Sequence, residues 1–136
     1  MRTHSNKIVM GIKPQFAEKI LDGTKIHTCR ASIQRASWEM QIGDKIRFFT
    51  GLRTKNCQFI VEKEIVRIEP IFIQVSDIFV HIEIMGKNLS RDPLTAFIKK
   101  DGFTSMQSIH KFFDEKKNAD HIWEGYCIFW ENTNAY

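Results

Sequence analysis

Residues 22–30, DGTKIHTCR, set a lysine, a histidine, a threonine, a cysteine and an arginine within one short segment. A threonine hydroxyl is a weak nucleophile that needs a base beside it. A lysine near another cation in a dry pocket can have its pKa lowered enough to serve. A carboxylate from elsewhere could then carry the proton to the leaving group, and Arg30 could hold a phosphate or a carbonyl oxygen. Strand alternation puts Thr28 and Arg30 on one face and His27 with Cys29 on the other. Lys25 has the wrong parity for the Thr28 face unless it belongs to the preceding turn. His27 and Cys29 would stand about 7 Å apart on their shared side, too far for a direct hydrogen bond, so Cys29 reads as a small buried hydrophobe. Gly23 either supplies only a left-handed turn or also lies against a ligand.

The elements around this segment are legible from pattern. Ile8, Met10 and Ile12 alternate and predict a strand over 7–12. Pro14 suits a first helical turn, Phe16, Ala17, Ile20 and Leu21 form an apolar stripe, and Asp22-Gly23 ends the helix. A second strand is expected over 26–30, a loop over 31–42, a third strand over 45–50 after the Gly43-Asp44 turn, and a polar, basic turn over 51–56. Residues 57–84 are rich in Ile, Val and Phe and predict two or three strands broken by Pro70, with an irregular piece near Ser76-Asp77. Ile78, Val80, Ile82 and Ile84 alternate as one strand face. Ser90 or Asp92 can cap a helix to about residue 100, Thr104 with Gln107 forms a capping box for another, and 121–130 reads as a final strand. Strands in the majority with a few helices predict an α+β fold, a small mixed barrel or curled sheet flanked by two or three helices.

Bulk properties narrow the function classes. The 136 residues fit one domain, 43% hydrophobic and 26% charged, as ordinary globular chains are. No apolar run approaches the roughly 20 residues of a membrane helix, and the start MRTHSNKIVMGIKPQ has too short an apolar core for a leader, so a cytoplasmic protein without a membrane partner is expected. Cys29, Cys57 and Cys127 are widely spaced and odd in number, which predicts neither a disulfide framework nor a zinc site. His27 and His81 are single and strand-borne and read as structural. The net charge of +4 is uneven: residues 1–67 carry 13 Lys/Arg against 6 Asp/Glu. Such a basic half suits an anionic partner, RNA or a nucleotide, or else a solvated surface.

GTKIHTCR fits the pattern G-x-K-x-x-[E/T]-x-R and resembles the signature of ASCH domains, relatives of the PUA RNA-binding fold. KPQFAEKILDG resembles the helix leading into that signature, GDKIRFFTG the Gly-Asp turn and following strand, and DGFTSMQSIHKFF the late helix. The resemblance implies a PUA-like barrel. Threonine at position 28, where many members have glutamate, makes the chain similar to the small bacterial N4-acetylcytidine amidohydrolases. Carried over, Lys25 and Thr28 are the catalytic pair, and the third role falls on Asp101. Aspartate is one methylene shorter than the glutamate of that branch.

Further candidates lie outside the motif. Trp38, in a loop with Arg35, either stacks a base or folds back on the core. Arg53 and Lys55 sit in a turn that either touches a phosphate backbone or faces plain solvent. Trp123, Tyr126 and Trp130 read as packing residues of the last strand, and Phe112-Phe113 as packing of the last helix. The reading that follows is a single domain, residues 1–136, binding RNA, a nucleotide or a modified nucleobase without cofactor or metal. Its cleft lies beside the motif, with Gly23, Lys25, Arg30, Arg35, Trp38, Arg53 and Lys55 as ligand contacts. The alternatives are a metal-independent hydrolase of N4-acetylcytidine using Lys25, Thr28 and Asp101, and a ribonuclease in which Lys25 and Arg30 stabilise the phosphate.

Overall fold

The computed structural model describes residues 5–136; the first four residues of the N-terminal stretch lie outside it. Among the described residues, three helices and two sheets make a small mixed α+β fold. The elements are β1 (Lys7–Gly11), α1 (Pro14–Leu21), β2 (His27–Arg30), β3 (Lys45–Thr50), β4 (Gln58–Glu64), β5 (Arg67–Val75), β6 (Val80–Ile84), β7 (Lys87–Asn88), α2 (Arg91–Lys100), α3 (Met106–Asp114) and β8 (Ile122–Phe129). One sheet has the order β1-β3-β4, the other β2-β8-β5-β6-β7. Among the described residues the strand ladders do not close into one barrel. The chain crosses between sheets at Ile65 and Val66. Ile65 N–H donates to the Asp44 carbonyl at 2.8 Å, and Val66 N–H to the Phe129 carbonyl at 2.8 Å. No described helix is long and apolar enough to cross a membrane.

Strand β8 is the spine. Its residues alternate between two cores, with Cys127 and Phe129 packed toward α2 and α3 while Ile128 and Trp130 face β1 and β3. Cross-strand partners share a face, so β2 inherits this division. His27 pairs with Phe129 and Cys29 with Cys127, whereas Thr28 pairs with Ile128. The motif strand thus presents different chemistry to each side.

Several local expectations are corrected by packing. Pro70 does not break a strand but lies within β5, opposite Tyr126. Pairing with β6 begins only at Ile71, so the proline sits where β5 has one neighbour and tolerates a missing N–H. Ile78 stays outside β6, in the turn that Ser76 N–H closes onto the Phe79 carbonyl at 2.8 Å, and is 73% exposed. Helix α3 is capped one residue later than Thr104: Ser105 and Ser108 exchange side-chain-to-backbone bonds at 3.2 and 3.1 Å. A serine at each end of that box satisfies the first-turn donors as well as a Thr/Gln pair would. Leu21 is 60% exposed, so the buried stripe of α1 narrows to Ala17 and Ile20.

Candidate functional site

Helix α1 stops because Gly23 takes φ +84, while Asp22 accepts the Thr24 N–H at 2.8 Å. The chain then runs against the C-terminus of α2: Ile26 N–H donates to the Lys100 carbonyl at 2.8 Å. Lys25 therefore precedes β2 and belongs to the turn, the condition under which it escapes strand parity. Its side chain is buried, and its ammonium donates to the Asp101 carbonyl and stands 3.7 Å from the Asp101 carboxylate. The Phe16 ring lies 4.9 Å beneath the ammonium. Lys19 donates to the Gly102 carbonyl at 2.7 Å, so two cations meet carbonyls at the negative end of α2. Burial lowers the pKa of Lys25, against the opposing attraction of Asp101.

Asp101 is the C-cap of α2 and is itself buried. His27 Nδ1–H donates to its Oδ1 at 2.8 Å, and His27 Nε2 accepts from the Tyr136 hydroxyl. Neutral His27 with its proton on Nδ1 satisfies both bonds. Phe97 and Phe129 flank the ring with centroids at 4.7 Å each. Burial lowers the His27 pKa, against the hydrogen bond and charge of Asp101. Cys29 brings its sulfur within 3.9 Å of both Asp101 oxygens. The donor atoms of His27, Asp101 and Cys127 lie within 4.8 Å of one another, a ligand-like grouping that spacing along the chain does not reveal. The carboxylate in it is already met by His27 and Lys25, so the cluster is a satisfied polar network within the core.

Along the open edge of β2, Thr28, Cys29 and Arg30 line a cleft of about 550 Å³ with Lys13, Phe16, Phe112, Lys116 and Trp123, the rings packing on the same core as Cys29. Thr28 makes no side-chain hydrogen bond among the described residues. Arg30 Nη2–H donates to the Gly11 carbonyl at 3.2 Å, but its Nε is buried without a partner among the described residues. Among the described residues no carboxylate lines the cleft. A wider hollow of about 1020 Å³ elsewhere carries Glu69, Glu83 and Glu124 and is unsuited to an anion.

The structure thus joins Lys25 to Asp101 and places Thr28 and Arg30, with Cys29 between them, in the cleft. Gly23 is exposed at the end of α1, and Arg35, Trp38, Arg53 and Lys55 do not line the cleft. Trp38 is half-buried and packs on the β1/β3 core. Arg53 and Lys55 are exposed in the β3–β4 turn. Sequence reasoning missed His27 and Tyr136 as partners in the Asp101 network, and Lys13, Phe112, Lys116 and Trp123 as cleft residues. The chain separations of 74 and 109 residues carry no local signal for the His27 contacts. Lys116 follows the Phe112-Phe113 pair closely along the chain, a basic-aromatic grouping visible in the sequence, whereas Lys13 is far from both.

Comparison with protein families, with curated proteins and with solved structures finds no match to this chain.

Proposed function

We propose that this protein is an ASCH-type domain of PUA-like barrel ancestry that binds RNA, a nucleotide or a modified nucleobase in the cleft beside the GTKIHTCR motif. The observation that carries this reading is the cleft's lining: aromatic rings and two lysines surround Thr28 and Arg30, with no carboxylate among the described lining residues. Aromatic faces stack bases and cations meet phosphates, with little demand on sequence. Arg30 suits a polar ligand atom deep in the cleft, because its buried Nε has no partner among the described residues. The test is titration of short single-stranded RNA and of nucleosides, followed by Trp fluorescence and calorimetry, with Arg30→Ala as the comparison. Saturable binding that weakens in Arg30→Ala supports the reading; identical titrations with the two proteins sink it.

A second reading, metal-independent hydrolysis of N4-acetylcytidine, is favoured by one specific observation. Lys25 and Asp101 are buried together, and burial shifts the lysine toward its neutral, basic form. Thr28 as nucleophile would have to be reached from the cleft side of β2. Turnover of N4-acetylcytidine that is abolished in both Lys25→Ala and Thr28→Val would establish this activity. Full turnover in Thr28→Val would remove the threonine from the mechanism.

A further inference from the structure

The cleft's outer rim carries chemistry that the motif does not account for. Lys13 leads into α1 and Lys116 follows α3, yet both ammoniums stand over the same Phe112 ring, at 5.7 and 4.7 Å from its centroid. Neither makes an ion pair among the described residues. The nearby acid on α3, Asp114, instead binds Lys117 at 2.6 Å. Two like charges at one ring, with a third cation deeper in the cleft, make this rim locally positive. Behind them runs a continuous series of ring contacts. Phe16 meets Phe103 at 5.4 Å, Phe103 meets Phe112 at 5.3 Å, and Phe113 joins Phe112 and Trp123 at 5.0 Å each.

We propose that the ligand is phosphate-bearing: a nucleotide unit whose phosphate lies at the Lys13–Lys116 rim and whose base lies on the Phe112 and Trp123 side of the cleft. This rests on the nucleotide-binding reading above and selects within it, since a neutral nucleoside would answer none of the three cations. A phosphate placed there meets this positive rim and accepts charge-assisted hydrogen bonds from the ammoniums. The base needs only apolar area, which the rings supply. Lys13 and Lys116 are exposed, so they set which ligands enter without supporting the fold.

The experiment is calorimetric titration of the four common ribonucleosides, their 5′-monophosphates, inorganic phosphate and a short single-stranded RNA. Wild type is compared with the double variant Lys13→Ala/Lys116→Ala. At least one monophosphate, or the RNA, is expected to bind about tenfold or more tightly than the nucleosides, as hydrogen bonds to charged groups allow. That advantage should vanish in the double variant while nucleoside affinity holds. Preference for the RNA over every monophosphate would identify a chain phosphate as the source; equal affinity would identify a free nucleotide. Equal affinity for nucleoside and phosphorylated ligands overturns the proposal and leaves the base-binding cleft intact. Inorganic phosphate binding as tightly as the best monophosphate also overturns it, since no base would be read. Absence of binding by every probe removes the nucleotide-binding reading and this proposal together.

Discussion

His27 Nδ1 and Asp101 Oδ1 lie 2.8 Å apart although 74 residues separate them, and neither side chain is more than 4% exposed. This one contact ties the motif strand to the end of α2 and draws the Lys25 ammonium into the same buried network. Removing the Asp101 carboxylate therefore strands a histidine donor and leaves the buried ammonium with its backbone carbonyl but no counter-charge. Asp101→Ala is expected to cost about 3–5 kcal/mol, the usual penalty for breaking a buried ion pair from one side. Asp101→Asn, which keeps an acceptor for His27, should cost less. Urea denaturation measures both; a loss under about 1 kcal/mol in Asp101→Ala would contradict the buried pairing.

The same burial makes stability depend on acid. His27 is held below its ordinary value of 6.5 by desolvation, so the unfolded chain takes up a proton first as pH falls. The contribution is fully present above the unfolded value and declines as pH drops below it toward the folded one. Denaturation midpoints should fall between neutral pH and the acid side of 6.5. His27→Asn should show a shallower decline over that window. Parallel curves for the two proteins would rule out His27 as the source.

Thiol chemistry should separate the three cysteines. Cys57 is exposed, whereas Cys127 is buried and burial raises its thiol well above the ordinary range. Since the thiolate is the reactive form, an aromatic disulfide reagent should modify one thiol rapidly in the native protein and all three in denaturant. Cys57→Ser should abolish the rapid phase. A rapid phase that persists in that variant would place a reactive thiol elsewhere.

Gly102 has φ +97, and a Cβ there would come within 2.8 Å of the Phe16 ring and 2.9 Å of Lys25 Cδ. Gly102→Ala is expected to destabilise by about 1–3 kcal/mol through backbone strain and this crowding. Thermal unfolding measures it, and an unchanged Tm would mean that the α2 terminus relaxes freely. Because the contact falls on Lys25, N4-acetylcytidine turnover, if the protein has it, should drop in the same variant.

Much of the fold was legible because its signals are local. Pro14 and Gly23 bound α1, Ile8 and Met10 mark the buried face of β1, and the Ser76-Asp77 break separates β5 from β6 as read. Misreadings arose where a neighbour overrode the local pattern. Pro70 fits inside β5 because β6 stops short of it, and Ser105 outcompetes Thr104 because the α3 backbone begins one residue later.

The candidate site divides along the same line. The composition of residues 22–30 and the alternation of β2 set, from sequence alone, that Thr28 and Arg30 share one face while His27 and Cys29 share the other. Period two is a property of any extended chain. Which core each face meets was decided only by tertiary structure. Pairing with β8 turned His27 and Cys29 toward the core under α2 and α3, where Asp101 stands, and the same packing set Lys13, Phe112, Lys116 and Trp123 against the edge of β2 where Thr28, Cys29 and Arg30 line the cleft. Contacts between residues so distant along the chain follow from how sheets and helices close over two cores, and short-range periodicity carries no record of that closure.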